Sequence, residues 1–328
     1  MLRVLLVMEY WGVSMQKITD WLETTAFKSF QVEVASEDAS FRRYFRLTKE
    51  KQTVILMDSS LEKESLAPFV DVTERLLAVG VHAPRILDAN VEAGFLILED
   101  LGSLQLLDAL KEENYLSLYS LALEEILKMQ QAEASGLPLY DKAFLTFEMD
   151  LMQTWFLEQH VDITLSENDK NIISESLDYI SSEVLKQPQG YFVHRDFHSR
   201  NIMAREDGVL GVIDYQDAMR GAITYDLVSL LRDLYIELPQ EIVEQLVLAF
   251  RDIVAADVDD AIFMRWFDFM GLQRHIKVLG IFARLYLRDG KDGYIKDLPL
   301  TLKYTLDVLS KYKETQALHK LLTRVELP

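Results

Sequence analysis

Two acids and one amide near the middle of the chain have the types and the spacing that phosphoryl chemistry needs. Asp196 follows a short apolar run and His194-Arg195, Asn201 comes five residues later, and Asp214 ends a second apolar run thirteen residues after that. A carboxylate can accept or orient the proton of an attacking hydroxyl, and oxygen ligands suit Mg²⁺. Phosphoryl transfer otherwise needs mainly positioning and charge neutralisation. We therefore expect Asp196 to act on the hydroxyl, and Asn201 and Asp214 to hold the metal.

The segments before this stretch have the pattern of a small sheet with one helix. Alternating or apolar runs predict five strands, the first two joined as a hairpin, at 31–35, 41–47, 52–57, 84–89 and 95–98. Between the third and fourth strands, apolar residues recur at helical spacing from Leu66 to Leu77, and Gly80 is placed to end that helix. Another helix is expected at 16–27. These elements predict an antiparallel sheet on which one helix packs.

After residue 102 the chain is helical apart from short strands around the acids. Helical patterns cover 104–134, 142–160, 166–187, 226–235, 240–256, 258–289 and 298–322. The composition changes near residue 100, so we place a hinge at 99–102, between a sheet lobe at 16–98 and a mostly helical lobe at 103–328. Residues 1–15 are expected to be an N-terminal extension, since Met15 opens a cleaner helix. The prediction is a two-lobed α+β fold.

Composition excludes several classes of site and partner. The 328 residues include no cysteine, so neither a disulfide framework nor a thiolate metal site exists, and a reducing compartment such as the cytoplasm is expected. With 34 basic and 53 acidic residues the net charge is −19, and no basic block stands out, so nucleic acid is not an expected partner. No apolar run approaches the roughly 18–20 residues of a membrane span. The oligomeric state stays open, and a monomer is compatible with the sequence.

The central stretch resembles a known catalytic loop. His194 to Asn201 is similar to the loop of protein kinases and aminoglycoside phosphotransferases, and Ile213-Asp214 followed by Gly221 resembles the second half of the phosphotransferase version. The resemblance covers most of the chain, roughly residues 30 to 290. It implies a protein-kinase-like fold, ATP as the donor, Mg²⁺ as the metal, and Asp226 as a brace of the loop.

Three further segments resemble a narrower group, the bacterial kinases that phosphorylate N-acetylmuramate and N-acetylglucosamine at the anomeric hydroxyl. These segments are DASFRRYFR at 38–46, DYQDA at 214–218 and GLQRHIKVLGIFAR at 271–284. Kinases of that group serve cell-wall recycling. The resemblance therefore implies an amino sugar as the acceptor.

One cation that the resemblance leads us to expect is missing. The third strand has Met57 where a lysine would be expected, and methionine cannot neutralise phosphate charge. Arg42 and Arg43 are the available replacements, and they face opposite sides of one strand. We assign the role to Arg43, with an exposed arginine of the hairpin as the alternative.

The other nucleotide contacts are also expected from the first hundred residues. No glycine-rich loop appears at 36–42, where Ser40 is the closest small residue, and its hydroxyl or backbone N–H is placed to contact phosphate. The resemblance implies that the hinge, through Glu99 and Leu101, offers backbone groups to adenine.

Residues beside the two acids are the candidates for the acceptor. We expect His198 and Arg200 after the base, Asp217 after the metal ligand, and Arg274 and His275 on a long helix to contact the sugar. Pairing of an arginine with a lactyl carboxylate favours N-acetylmuramate. For Arg274 and His275 a purely structural role stays equally open.

Two other functions compete with the sugar kinase. The first is a phosphotransferase for an aminoglycoside or another small alcohol, whose cationic acceptor would suit the acidic surface. The second is a non-catalytic regulator with a kinase-like fold, for which the missing lysine could argue. Retention of Asp196, Asn201 and Asp214 together argues against the regulator, because a scaffold does not need all three.

Overall fold

The computed structural model describes residues 15–37 and 42–328. By their internal contacts these residues fall into two compact units. The first contains the described residues up to Leu104 together with Met203–Asp217, and the second contains Gln105–Ile202 and Ala218–Pro328. The division proposed from sequence at 99–102 did not include the return of Met203–Asp217 to the first unit. Residues 1–14 and 38–41 lie outside the described residues, which leaves out the start of the predicted extension and the turn of the predicted hairpin.

The first unit is built on a five-stranded antiparallel sheet, as predicted. The strands run in the order β1-β2-β3-β5-β4, with α2 between β3 and β4 in sequence. Their bounds are β1 Gln31–Glu37, β2 Arg43–Lys49, β3 Gln52–Asp58, α2 Leu66–Ala78, β4 Ile86–Asn90 and β5 Phe95–Glu99.

The helix α1, residues 15–22, covers one face of this sheet. Ile18 and Leu22 pack in the core against residues of β2, β3 and β5, including the fully buried Leu56. The helix ends earlier than the predicted residue 27. Thr24 and Thr25 follow it in a turn, and their hydroxyls bond the backbone carbonyls three residues back, at 2.7 and 2.9 Å. Such bonds compete with helix continuation.

The segment Met203–Asp217 belongs to the first unit because its backbone and side chains bond there. It contains most of β7 (Ile202–Ala204) and all of β8 (Leu210–Val212), which pair with each other. The N–H of Ala204 donates to the carbonyl of Leu104 at 2.8 Å, and the N–H of Val212 donates to that of His82 at 2.9 Å. A Cβ at Gly211 would lie 2.8 Å from Leu101 Cδ1. Glycine therefore permits the close approach of β8 to the predicted hinge.

The second unit is mostly helical. Its elements are α3 Leu106–Ala109, α4 Tyr115–Met129, α5 Lys142–Leu151, α6 Glu167–Val184, β6 Gln189–Val193, β9 Met219–Ala222, α7 Tyr225–Leu231, α8 Gln240–Val254, α9 Asp260–Asp289, α10 Leu298–Lys311 and α11 Gln316–Leu322. Strands β6 and β9 form an antiparallel pair in which Val193 faces Met219. The helix predicted at 104–134 is instead broken into α3, a 3₁₀ turn at Glu112–Asn114, and α4, with Leu110 and Lys111 extended between them.

The longest helix, α9, forms the centre of the second unit. Every residue from Phe267 to Gly280 is buried, including the charged Arg274 and Lys277. It passes close to the end of α5, because a Cβ at Gly280 would lie 2.5 Å from the nitrogen of Met152. After Met152 the chain continues as a π-helix to His160. Across 15–37 and 42–328, no helix has the length and apolar character needed to cross a membrane.

Candidate active site

The loop from His194 to Asn201 is fixed through its backbone by two buried aspartates. Asp226, in the first turn of α7, accepts from the N–H of His194 at 2.8 Å and from that of Arg195 at 3.1 Å. Asp233, just after α7, accepts from the N–H of Ser199 at 2.8 Å. Burial raises the pKa of Asp226 to about 6, against the opposing effect of these bonds and of nearby positive groups. The loop conformation is thus held by α7.

Asp196 presents its carboxylate at the surface of this loop. Its side chain is 46% exposed, and Oδ1 lies 3.6 Å from Nη2 of Arg274 on α9. Burial acts to raise the pKa of this carboxyl, but the positive charges of Lys277 and Arg274 outweigh it and hold the pKa well below the usual range. Asp196 is therefore ionised at neutral pH and can accept a hydrogen bond from a hydroxyl.

Asn201 closes the loop onto Asp196. Its amide nitrogen donates to the carbonyl of Asp196 at 3.0 Å, and its N–H donates to the carbonyl of His198 at 2.9 Å. The amide nitrogen is the group that bonds the loop, an orientation compatible with a metal at the amide oxygen. The second unit thus brings two of the three predicted acid and amide groups together.

The third group, Asp214, lies in the first unit. Its backbone has φ 65°, a left-handed conformation uncommon for a residue with a Cβ. Gln216 donates from Nε2 to Oδ1 of Asp214 at 3.0 Å and to Oδ2 of the exposed Asp217 at 3.3 Å. Gln216 therefore links the two carboxylates, a contact that the sequence did not indicate.

Asn201 and Asp214 each carry an oxygen of the kind that Mg²⁺ binds. One amide oxygen and one carboxylate are hard ligands, and Mg²⁺ commonly takes only one or two from the protein beside phosphate oxygens and water. Among the described residues, no cluster of three or more histidines and acids makes a closed cage for a metal. Binding of Mg²⁺ by these two residues stays a prediction.

The acceptor candidates in the second unit are arranged around Tyr235. The ring of His198 meets that of Tyr235 edge-on with centroids 5.0 Å apart, and the guanidinium carbon of Arg200 lies 3.6 Å from the Tyr235 centroid. Burial lowers the pKa of His198 to about 4, so the ring is neutral at pH 7. A neutral ring can both donate to and accept from sugar hydroxyls.

The two helix candidates have different surroundings. Arg274 is almost fully buried and donates from Nε to Ser229 at 2.9 Å while facing Asp196. His275 is fully buried, stacked on Tyr304 with centroids 5.2 Å apart and 3.3 Å from the carbonyl of Arg232. The structural role left open by the sequence is therefore favoured for His275, whereas Arg274 lies at the candidate site.

On the nucleotide side, Arg43 forms an ion pair that the sequence did not predict. It lies directly opposite Asp58 in the register of β2 and β3, and Nη2 bonds Oδ2 of that carboxylate. Asp58 is 1% exposed. Met57 is fully buried, and its uncharged side chain cannot supply the positive charge of a lysine. Ser40 lies outside the described residues.

The predicted hinge residues are held by charged side chains of the first unit. Glu99 accepts from Arg85 Nε at 2.9 Å, and its N–H donates to the Arg85 carbonyl at 2.9 Å. The Asp100 carboxylate accepts hydrogen bonds from Nε and Nη2 of Arg46, at 2.8 and 3.1 Å, and from the N–H of Gly102. Leu101 is buried between them. These bonds fix the backbone that the resemblance assigns to adenine.

Sequence reasoning missed the acid and the lysine beneath the loop. Glu148 on α5 accepts from Arg195 at 2.6 Å and lies 3.2 Å from Lys277 of α9. Lys277 could have been found, since it lies three residues after Arg274 and so on the same helix face. Glu148 belongs to no motif and gives no signal in the sequence.

Comparisons with known proteins agree on one family. Residues 31–259 match the model of the phosphotransferase enzyme family. An N-acetylmuramate/N-acetylglucosamine kinase of Neisseria meningitidis serogroup B is 39% identical over 94% of this chain and 95% of its own length. One of the same name from Pseudomonas aeruginosa is 38% identical over 88% and 86%.

Solved structures share the fold at low identity. An ADP-bound aminoglycoside phosphotransferase superposes with TM-score 0.61 at 16% identity, over 88% of this chain and 97% of its own. A choline/ethanolamine kinase family protein of Mesorhizobium loti gives TM-score 0.63 at 12% identity, over 95% and 99%. The prediction of a kinase-like α+β fold is therefore confirmed.

Proposed function

This chain belongs to the phosphotransferase enzyme family, whose members act on a hydroxyl, and from that premise we propose that it is an ATP-dependent sugar kinase. Its acceptor is N-acetylmuramate or N-acetylglucosamine, phosphorylated at the anomeric hydroxyl for cell-wall recycling in the cytoplasm. The observation that carries the proposal is the exposed carboxylate of Asp196 on a loop fixed by buried Asp226 and Asp233. The names of relatives at 34–39% identity support the sugar.

In this mechanism Asp196 orients the attacking hydroxyl. Being ionised, it accepts a hydrogen bond from the hydroxyl and takes its proton as the hydroxyl oxygen bonds to the γ-phosphorus of ATP, while the bond from that phosphorus to the β,γ-bridging oxygen breaks and ADP leaves. Asn201 and Asp214 would hold Mg²⁺, which would supply positive charge to neutralise the phosphates. Arg43 replaces the cation missing at Met57.

The remaining candidate residues contact the nucleotide and the sugar. Backbone groups of Glu99 and Leu101 receive adenine, and Ser40 contacts phosphate. On the acceptor side, His198, Arg200 and Asp217 form hydrogen bonds with the sugar hydroxyls and with the acetamide or lactyl group. Arg200, whose guanidinium carbon lies 3.6 Å from the centre of the Tyr235 ring, carries the charge that favours an acceptor with a carboxylate.

The aminoglycoside alternative is supported less well. Aminoglycoside phosphotransferases resemble this chain at 16% identity or less among the structures compared, a level that carries only the fold. The regulator alternative is disfavoured by family membership and by the relatives' names.

Substitution of the candidate base tests the proposal. Purified protein is given Mg²⁺, ATP and either N-acetylmuramate, N-acetylglucosamine, glucosamine or kanamycin, and ADP release is followed together with the anomeric phosphate by phosphorus NMR. Wild type should phosphorylate an N-acetyl sugar, and Asp196→Asn should lower kcat by about a hundredfold or more with nucleotide binding retained. Asp178→Asn, an exposed carboxylate on α6 paired with Lys142, is the control and should keep kcat. Turnover of kanamycin alone would contradict the sugar assignment.

A further inference from the structure

Glu148 neutralises two buried cations beneath the catalytic loop. Its Oε1 is 2.6 Å from Nη2 of Arg195 and 3.2 Å from Nζ of Lys277, and Oε2 accepts from the hydroxyl of Tyr140. The side chains of Glu148 and Lys277 are 6% and 7% exposed. Burial raises the pKa of Glu148, but Lys277 and Arg195 lower it more, so the carboxyl is ionised at neutral pH.

Arg195 connects this carboxylate to the candidate base. Its backbone has φ 79°, a conformation that costs a residue with a Cβ on the order of 1–3 kcal/mol and persists only where surrounding contacts hold it. The contacts are present: its N–H donates to Asp226, Ser229 donates to its carbonyl at 3.4 Å, and its side chain reaches Glu148. The direction of the next residue, Asp196, depends on this arrangement.

The charges of the cluster balance only while Glu148 is ionised. Arg195, Lys277 and Arg274 lie near Glu148 and Asp196, with Arg274 3.6 Å from the latter. Asp226 on α7 is the third carboxylate and accepts from the N–H groups of His194 and Arg195. If Glu148 lost its charge, Lys277 would lose the carboxylate 3.2 Å from its Nζ, and the Asp196 carboxylate, whose pKa Lys277 lowers, would attract it.

We propose that Glu148 is a positioning residue: by engaging Arg195 and Lys277, it keeps the Asp196 carboxylate directed at the acceptor hydroxyl rather than into an ion pair with Lys277. This inference rests on the proposed function, because only the proposed kinase reaction brings a substrate hydroxyl to Asp196. It adds to that function a residue on α5, more than forty positions before the catalytic loop.

Glu148→Gln removes the charge and keeps the shape. We expect kcat to fall at least about tenfold while KM for ATP and for N-acetylmuramate changes less than about twofold, since the substrates do not contact Glu148. The matched control is Glu183→Gln. Glu183 is equally buried and also pairs with two cations, Arg265 at 3.0 Å and Lys186, but on α6 and not at the loop. Glu183→Gln should lower the melting temperature less than Glu148→Gln does, because Lys186 and Arg265 are more exposed than Lys277, and it should leave kcat within about twofold.

A second substitution separates charge from shape. In Glu148→Gln/Lys277→Met the surplus cation is gone, so Asp196 is no longer captured, and kcat should be at least about threefold higher than in Glu148→Gln alone. A purely structural role predicts that the double variant is as slow or slower. Should Glu148→Gln fail to fold, Glu148→Asp and Glu183→Asp are compared, and only the first should lose kcat.

The outcomes distinguish the two levels of the argument. Equal kcat in the Glu148 and Glu183 variants, or no recovery on adding Lys277→Met, overturns the positioning role. Wild type that turns over no acceptor refutes the proposed function itself. Normal wild-type turnover with an unaffected Glu148→Gln refutes only the inference about Glu148.

Discussion

At the scale of single residues, the ion pair with Asp58 gives Arg43 a role in the sheet. The sheet register places Arg43 directly opposite this buried carboxylate. The guanidinium of Arg43, proposed to replace the lysine, is therefore paired with the Asp58 carboxylate. Removing that cation would be costly, because a buried carboxylate needs a compensating charge. The two roles of Arg43, in the sheet and towards phosphate, have to be separated by experiment.

Arg43→Ala should raise KM for ATP at least about tenfold and also lower the free energy of unfolding by about 3 kcal/mol, because Asp58 loses its guanidinium. Adding Asp58→Asn should restore much of the stability without restoring KM. Steady-state kinetics and urea unfolding measure the two effects. Recovery of KM together with stability would show that Arg43 acts only within the sheet.

At the scale of elements, the approach of α9 to α5 determines where Glu148 meets Lys277. Gly280 allows it, because any side chain there would meet the backbone at Met152, which cannot move like a flexible side chain. Glycine within a long helix otherwise costs roughly 1 kcal/mol relative to alanine. Here that cost is offset by close packing of the two helices.

Gly280→Ala should therefore lower the free energy of unfolding by about 1–3 kcal/mol, the range for overpacking a core. Gly293→Ala is the control, since a Cβ there meets nothing within 4 Å and should change stability by less than about 0.5 kcal/mol. Thermal and urea unfolding of the two variants supply the comparison. Equal stability of the two variants would mean that α5 moves to accommodate the added methyl group at little cost in free energy.

The elements also show what the sequence could predict. The strands of the first unit, α2 and α9 were predicted within a few residues because period and length mark them clearly. The break between α3 and α4 was not predicted, although the polar run KEEN at 111–114 interrupts the apolar pattern there. Neither the π-helix after Leu151 nor the pairing of Glu148 has a local signal, because both depend on what packs against them in three dimensions. The loop motif predicted Asp196 and Asn201 as neighbours, but not the carboxylate beneath them.

At the scale of the whole molecule, buried acids of the second unit share one arrangement. Glu148, Glu183 and Asp268 are each almost fully buried, and each lies against two cations. In all three, burial raises the pKa but the paired cations lower it further, so the net shift is downward. A folded-state pKa below the unfolded one means stability that is present above the unfolded value and is lost as pH falls through the folded value.

The stability difference between wild type and Glu183→Gln should accordingly shrink as the solution is acidified below about pH 4.3, the unfolded pKa of glutamate. Protonated glutamate resembles glutamine, so the two proteins converge once the carboxyl is neutral. Urea unfolding at pH 7 and at successively lower pH measures the gap. A gap of constant size would show that charge pairing at Glu183 contributes nothing.

The first unit is discontinuous in sequence, and this limits how the gene can be recombined. A chimera that exchanged residues up to 104 with those of a relative would leave Met203–Asp217 from the other parent, together with its bonds to His82 and Leu104 and its fit of Gly211 against Leu101. Exchange of the whole unit needs three junctions, near 104, 202 and 217. The last two fall on either side of the segment that carries Asp214, so this candidate metal ligand is inherited with the sheet and Asn201 with the helices.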